Sequence, residues 1–569
     1  MWIINFSKAN CKNCYACARA CPVHAIEVKD EQAKIMKERC IGCGKCLKVC
    51  PQNAKQVKSE VEIVKTYLNQ GKKVVASVAP AFAALFENKS RRLITGLRQL
   101  GFSSVEETVV GADLVTQTYG VFGNMPGEQC YITSCCPTVN ALIQKHYPEM
   151  LPYLIPVISP ATCHAKLLKQ KYGEEAKIVF IGPCISKKIE GIEEKDLDAV
   201  LTFEELFHWF EKEKINVWEL EETPFDQINK RQRGYPIVGG VTRKINPKEM
   251  PRRILKIHGI DECIDMIAYI KNGGFKNTLL EVHGCRHSCL AGAGMPQDGT
   301  NIYERSERVK DYAQWENSKV LEEEKDETKV TIDLHKDFPN LKKELKMPTE
   351  EEIEAILSSI GKETKLDELN CGSCGYHTCR EKAVAVYNGI AEATMCLPFM
   401  RQKAETLTNV IFETTPNMII MVDKNLEILE VNPAAKHFFC TYGENLVHEN
   451  IQTILPVSLF EKVRATKQSI LNHKNNVGQK EATVIESIIW SDYHQVMLWI
   501  ANDITRDEKM AKQIQNMKIE AIDMAQQVIN KQMTVAQEIA SLLGETTAET
   551  KVTLTKLKKL IQEEEDLGK

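Results

Sequence analysis

No run of apolar residues in this 569-residue chain approaches the ~18–20 that a membrane span needs. The opening Met1-Trp2-Ile3-Ile4-Asn5 lacks a basic stretch followed by a long apolar core, so no signal peptide is read there and the expected location is cytoplasmic. Neither sign of charge dominates: the net charge of −4 leaves no footprint for nucleic acid. What remains is 43% hydrophobic and 26% charged residues, the balance of a soluble globular protein. One hydrophobic core rarely grows past ~250–300 residues, so several domains are expected.

Cysteine is the informative residue. There are 21, most in short spaced groups, and in a reducing compartment such groups point to metal or redox ligation rather than to disulfides. Residues 1–55 hold Cys11, Cys14, Cys17 and Cys21 before Pro22, then Cys40, Cys43, Cys46 and Cys50 before Pro51. Each cysteine of the first group recurs 29 positions later, an internal duplication. The doubled C-x2-C-x2-C-x3-C-P spacing fits a two-cluster ferredoxin, in which the fourth cysteine of each run ligates the other cube. Cys11, Cys14, Cys17 and Cys50 are therefore assigned to one 4Fe–4S cluster, and Cys40, Cys43, Cys46 and Cys21 to a second. A pair of zinc knuckles is the competing reading, although zinc sites seldom use this doubled pattern.

Residues 56–300 alternate apolar runs with helical patterns. Val74–Val78 and Lys177–Ile181 are short, β-branched and bounded by Gly or Pro, as buried parallel strands are. An α/β domain with ligands on loops at strand ends follows. Three cysteine-bearing stretches punctuate it: Thr133-Ser134-Cys135-Cys136-Pro137, Pro183-Cys184-Ile185-Ser186-Lys187-Lys188, and Glu281-Val282-His283-Gly284-Cys285-Arg286-His287-Ser288-Cys289. Adjacent cysteines such as Cys135 and Cys136 are poorly placed for a relaxed disulfide.

This ordered trio behind a ferredoxin-like segment resembles the signature motifs of the FeFe-hydrogenases. The resemblance implies that Cys136, Cys184, Cys285 and Cys289 hold a 4Fe–4S cube, with Cys289 bridging it to a two-iron unit bearing CO, CN and azadithiolate, the two together forming the H-cluster. It implies further that Cys135 relays protons and that Lys187 donates to a cyanide, both catalytic roles. Pro80 and Ala81 would line the cofactor pocket, with Ala81 standing where many relatives have a hydrogen-bonding serine. After Gly111-Ala112-Asp113-Leu114, relatives carry proton-passing glutamates; here the run is Val115-Thr116-Gln117-Thr118-Tyr119, with no carboxylate. Gly182, His283 and Val139 replace Met, Met and Trp beside the ligands, changes that retune a metal site through its surroundings. Slow turnover is expected. His283 and His287 are weighed as proton groups against ordinary structural histidines, and Cys130, Cys163 and Cys263 read as buried free thiols.

Residues 301–349 are charge-rich and read as a solvated linker, partly helical. Within 350–402, Cys371, Cys374, Cys379 and Cys396 resemble the small helical 4Fe–4S domain of corrinoid iron–sulfur proteins, with a zinc site as alternative. Residues 403–506 resemble a PAS domain: strands at Asn417–Val422 and Leu426–Val431, a helix opening at Asn432-Pro433, strands at Thr483–Ile489 and Val496–Ile500, and an Asp503-Ile504-Thr505 junction. His437 and Cys440 read as core or surface residues rather than ligands. Over 507–569, Met510, Met517 and Met524 interleave with Ile514, Ala521, Val528, Val535 and Leu542 in 4-then-3 spacing, a coiled-coil seam interrupted at Lys531.

The expected architecture is thus a multidomain α/β and α+β chain: a two-cluster ferredoxin module, an H-cluster domain, a small helical 4Fe–4S domain, a PAS domain and an output helix. The resemblance implies a FeFe-hydrogenase of sensory type acting on dihydrogen and protons. A ferredoxin or other redox protein, a downstream kinase or phosphatase, and a second copy of the chain are its expected partners; no nucleic acid or membrane is expected. A metabolic ferredoxin-linked hydrogenase and a non-catalytic iron–sulfur redox protein, akin to hydrogenase-like assembly factors, stay open as alternatives.

Overall fold

The computed structural model describes residues 3–7, 10–29, 32–227, 232–245, 251–318, 332–439, 446–477, 482–543 and 552–559. Cys440 lies outside them. The chain divides into two compact units, Met1–Met400 and Arg401–Lys569. Among the described residues no helix is long and apolar enough to cross a membrane.

In the first unit, the N-terminal module closes on itself. Strand Ile4–Phe6 pairs antiparallel with Lys55–Val57, so the two ends of the duplication meet, while Ile26–Lys29 and Gln32–Ile35 form a hairpin between them. One-turn helices Ala16–Arg19 and Lys45–Lys48 follow left-handed residues, Tyr15 and Gly44. At Gly44 (φ +74°) a Cβ would lie 2.3 Å from Ala293 Cβ, so glycine there serves both the turn and the close seating of this loop on the next domain.

That domain is built on two parallel sheets. One runs Ser104–Glu107, Val74–Val78, Lys177–Gly182, Ala199–Thr202, and the other Arg253–His258, Thr278–His283, Tyr131–Ile132. Val74–Val78 and Thr278–His283 are buried throughout, because helices cover both faces of such sheets. Every motif of interest follows the carboxyl end of a strand: Ala79-Pro80-Ala81 after Val78, Thr108 after Glu107, the Cys135 pair after Ile132, Cys184 after Gly182, Cys285 after His283. This is where open α/β sheets bind ligands.

The segment expected as a solvated linker is in part built into this domain. Helix Ile302–Ser318 buries Val309 and Tyr312, and Tyr312 packs edge-on to Phe82. Farther on, Ile158 N–H donates to Leu334 O and Lys336 N–H to Pro156 O. Within helix Ile302–Ser318 the charged side chains of Glu304, Glu307 and Asp311 are exposed opposite the buried Val309, Tyr312 and Ala313, and residues 319–331 lie outside the described residues. Helices Glu350–Ser358 and Cys379–Tyr387, each opened by a Thr–Glu capping box, then frame the last cysteine set.

The second unit is a five-stranded antiparallel sheet in the order Ile428–Val431, Met418–Asp423, Val496–Asp503, Ala482–Ser491, Ile470–Val477. Its core gathers Trp499, Ile420, Val484 and Phe460. Buried Asn432 ties it together: its oxygen accepts from Ile419 N and Ala435 N, and its amide donates to Phe412 O and Asn417 O. The four sequence-expected strands are present; Ile470–Val477 was not anticipated, since its Asn and His residues hide the alternation. Helix Thr505–Leu543 continues without interruption through Lys531, with Met510, Ile514, Met517, Val528 and Val535 exposed.

Candidate cofactor cavity and cysteine cages

The structure gathers three of the four proposed cysteine sets around separate cavities. Cys11, Cys14, Cys17 and Cys50 line one of about 330 Å³, and Cys21, Cys40, Cys43 and Cys46 line another of about 330 Å³. The exchange of the fourth cysteine between the two runs follows from the pairing of the module's ends. Cys371, Cys374, Cys379 and Cys396 line a third, of about 360 Å³. Among the described residues no group of three or more His, Cys, Asp or Glu closes on a single-ion position. Each of these cages is lined by four thiols, the donor set of a 4Fe–4S cube.

The cages are joined by packing. Gly42 and Gly44, flanking Cys43, abut Ser186, Ile189, Ile185 and Ala293, and the Ser186 hydroxyl donates to Ile41 O at 3.2 Å. Lys145 reaches across to Cys40 O, and Lys45 pairs with Asp261. On the other side, His24 stacks on Tyr376 with centroids 4.7 Å apart, and Val28 N–H donates to Ile390 O. Tyr376 is near both Cys374 and Cys21, which, after burial, help push its phenol up.

The largest of these cavities, about 540 Å³, lies at the strand ends of the α/β domain. Pro80, Ala81, Thr108, Cys135, Cys184, Lys187, Tyr235 and Cys289 are among its walls. Burial, with Cys136 close by, raises Cys184 to about 11, and burial with Cys184 and Cys136 close by raises both Cys285 and Cys289, so the four sulfurs are near neighbours. Of these four, Cys184 and Cys289 line the cavity itself.

Cys135 is buried, and burial with Cys136 beside it pushes its thiol up to about 12 against the hydrogen bond of Tyr235. Around it lie Tyr119, Ser134, Tyr235 and Glu281, all buried. Glu281 is spoken for: it accepts from Gly239 N, Thr242 N and the Thr242 hydroxyl. Tyr119 stands on helix Val109–Asn124, with its hydroxyl 3.4 Å from Ser134 Oγ, so the run Val115–Tyr119, which has no carboxylate, presents a phenol instead.

Lys187 enters the cavity wall with its ammonium held by two buried partners, Ser159 Oγ and Glu190 Oε2, each at 2.5 Å. The other Glu190 oxygen accepts from Thr162 at 2.7 Å. Burial works to raise Glu190, and Lys187 with Lys336 overrides it, holding the carboxyl below its ordinary range. An ammonium has three donors, so one is left for the cavity. His283 is buried in its strand and His287 sits edge-on to Tyr303; neither lines the cavity. Cys130, Cys163 and Cys263 are buried and unbridged. Sequence reading missed Ser159, Tyr235 and Glu190, although Lys187 and Glu190 stand three apart at helical spacing, a signal in plain view.

Residues 72–293 match the family described as iron only hydrogenase large subunit, C-terminal domain. Residues 10–61 match a 4Fe-4S dicluster domain, 366–398 an Fe-S cluster family and 406–472 a PAS domain. The chain is 32% identical over 274 residues to the periplasmic Fe hydrogenase large subunit of Nitratidesulfovibrio vulgaris, covering 42% of this chain and 65% of that protein. It is 30% identical over 209 residues to iron hydrogenase 1 of Clostridium pasteurianum, covering 32% and 36%. It is 25% identical over 194 residues to cytosolic iron-sulfur assembly component 3 of Rattus norvegicus, covering 28% and 41%. The chain thus spans less than two thirds of each of these relatives. A solved FeFe-hydrogenase from Chlamydomonas reinhardtii aligns over 50% of this chain and 100% of its own at 19% identity, with a TM-score of 0.38. A hydrogenase-type domain, a 4Fe-4S ferredoxin domain and a PAS domain therefore stand on one mixed α/β chain.

Proposed function

We propose that this chain is a FeFe-hydrogenase that oxidises dihydrogen slowly and reversibly and reports it through its PAS domain and C-terminal helix. The observation that carries the reading is the convergence of Cys135, Cys184, Lys187, Cys289 and Pro80 on one cavity at the strand ends, with the loop of the Cys21–Cys46 cage packed through Gly42 and Gly44 on Ile185 and Ser186, the residues that follow Cys184. In this reading Cys136, Cys184, Cys285 and Cys289 hold the H-cluster, which when bound supplies the Lewis-acidic and redox chemistry. The remaining steps belong to the chain. Lys187, fixed by Ser159 and Glu190, directs its free N–H at the cavity and orients what lies there. Cys135, protonated at neutral pH, exchanges its proton with the reacting centre. Turnover is slow because phenols and a fully engaged Glu281, rather than free carboxylates, surround that thiol.

Electrons leave through the Cys21–Cys46 cage and divide there, toward the Cys11–Cys50 cage and, across the His24–Tyr376 stack, toward the Cys371–Cys396 cage. The redox state of this last cage biases the signalling unit, which requires a conformer whose stability depends on that state. Tyr376→Ala is expected to slow hydrogen-driven reduction of the Cys371–Cys396 cluster, read by its paramagnetic resonance signal, while the other clusters reduce normally. Equal reduction of all clusters would remove the stack from the route. The exposed apolar seam of helix Thr505–Leu543 pairs with a second copy, and a monomer mass in sedimentation of the full chain would refute that pairing. A kinase or phosphatase partner then reads the paired helices.

Infrared spectroscopy of the anaerobically matured chain, under argon and then hydrogen, tests the core of the proposal. Carbon monoxide and cyanide bands that shift under hydrogen are expected. Their absence, with maturation machinery supplied, leaves a non-catalytic iron–sulfur redox protein. High turnover with no hydrogen-dependent partner binding leaves a metabolic enzyme.

A further inference from the structure

Ser77 is the polar residue in strand Val74–Val78 and is wholly buried. A hydroxyl so placed is costly unless bonded, and this one has two partners: Thr108 Oγ1 at 2.9 Å and His164 Nδ1 at 2.8 Å. Thr108 belongs to the wall of the 540 Å³ cavity. His164 is also wholly buried, on helix Pro160–Tyr172. It is seated by Gly111, where a Cβ would lie 2.4 Å from Pro160 O and 2.7 Å from His164 N; only glycine lets the two helices approach this closely. The far ring nitrogen, Nε2, has no hydrogen-bond partner and faces Glu106 Oε2 at 3.7 Å.

Glu106 is buried, yet its other oxygen takes Lys171 Nζ at 2.8 Å and the Tyr172 hydroxyl at 2.6 Å. Burial works to raise this carboxyl, and the contacts with His164, Lys171 and Tyr172 override it and hold it at about 2, so it stays ionised. The Lys171 side chain is 43% exposed. A row of protic groups therefore runs from the cavity wall to solvent. The groups around Cys135, by contrast, are all buried. A histidine that merely filled space would be expected to satisfy both nitrogens; here one is bonded and the other is aimed at a carboxylate just beyond bonding distance.

We infer that Thr108, Ser77, His164 and Glu106 form the proton exit of the cavity, in series with Cys135. The inference rests on the cavity's being the dihydrogen site. Each hydroxyl takes a proton on its oxygen and releases its own to the next acceptor. His164 accepts at Nδ1 and gives its Nε2 proton to Glu106; Lys171, half exposed and bonded to that carboxyl, gives one of its protons to water and takes one from Glu106 in return. One proton moves outward for each proton released into the cavity and no electron moves; the row resets when the ring and hydroxyls reorient, and it runs inward for hydrogen evolution.

The test follows the hydrogen-induced infrared band shifts of the matured full chain by rapid mixing, in light and heavy water. His164→Phe and Ser77→Ala are expected to slow the shifts by about tenfold or more, to enlarge the solvent isotope effect, and to leave band positions in argon unchanged. Ser77→Ala removes a single oxygen and covers the case in which His164→Phe does not fold. Shifts at the wild-type rate and isotope effect in both variants would overturn the exit while leaving the dihydrogen reading intact. A wild-type chain whose bands ignore hydrogen would overturn that reading, and the exit with it.

Discussion

Cys135→Ala is expected to lower hydrogen uptake by about a hundredfold or more, the scale of a lost general acid or base. The thiol faces the cavity and cannot be replaced by a neighbour: Tyr119 and Tyr235 are phenols held far above their ordinary range, first by burial and then by the nearby Cys135 thiol, and Glu281 is occupied by three donors. Cys136 keeps its place as the N-cap of helix Pro137–His146, so the cysteine cages and their infrared bands should survive the substitution. Because Cys135 and the His164 row act in series, the double variant Cys135→Ala with His164→Phe should be hardly slower than the slower single variant, a non-additivity expected of groups that act as a unit. Undiminished uptake in Cys135→Ala would remove the thiol from the reaction.

The second large effect is on stability. Lys187→Met should cost about 3–5 kcal/mol, because it leaves the buried Glu190 carboxylate without its ammonium. Lys336 lies near enough to hold the carboxyl down in part, which favours the lower end. Neutralising both partners, in Lys187→Met with Glu190→Gln, should restore most of the loss, since removing a buried pair together is far milder than orphaning one member. The urea midpoint of the first unit reads this. The double variant should nevertheless hold the cofactor less firmly, because the donor aimed at the cavity is gone, and weaker cyanide bands at equal folding would show it. A Lys187→Met chain as stable as wild type would mean that Glu190 is not carried by this pair.

The cysteine cages were legible because their spacings are local. C-x2-C-x2-C-x3-C keeps its first three sulfurs within seven residues whatever the rest of the fold does, and the two-cluster ferredoxin pattern assigned the fourth cysteine to the other run. The parallel strands were legible from Val74–Val78 and Lys177–Gly182, whose apolar runs leave little choice. The row at Ser77, Thr108, Glu106 and His164 was not, because its members are 87 residues apart at the extreme and meet only through strand pairing and a helix crossing. The trace it left was a serine inside a run of Val and Ala, and a glycine where a helix could have had alanine. The linker at 301–349 misled for the opposite reason: its charge was visible, while the receiving surface around Phe82 was not.

One further consequence follows from the interior shared between Ile3, Ile26 and Val28 on one side and Tyr376, Ile390 and Met395 on the other. Neither partner is large enough to bury a sufficient core alone, and in such small modules iron ligation substitutes for missing hydrophobic mass. Cys14 and Cys371 are the exposed members of their sets. Air would therefore reach the cages at those two corners first, and the loss of either cluster would loosen the interior that supports the other. Oxidative damage would spread through this part of the chain as unfolding, so that the two clusters would decay together, with one lifetime, rather than one by one.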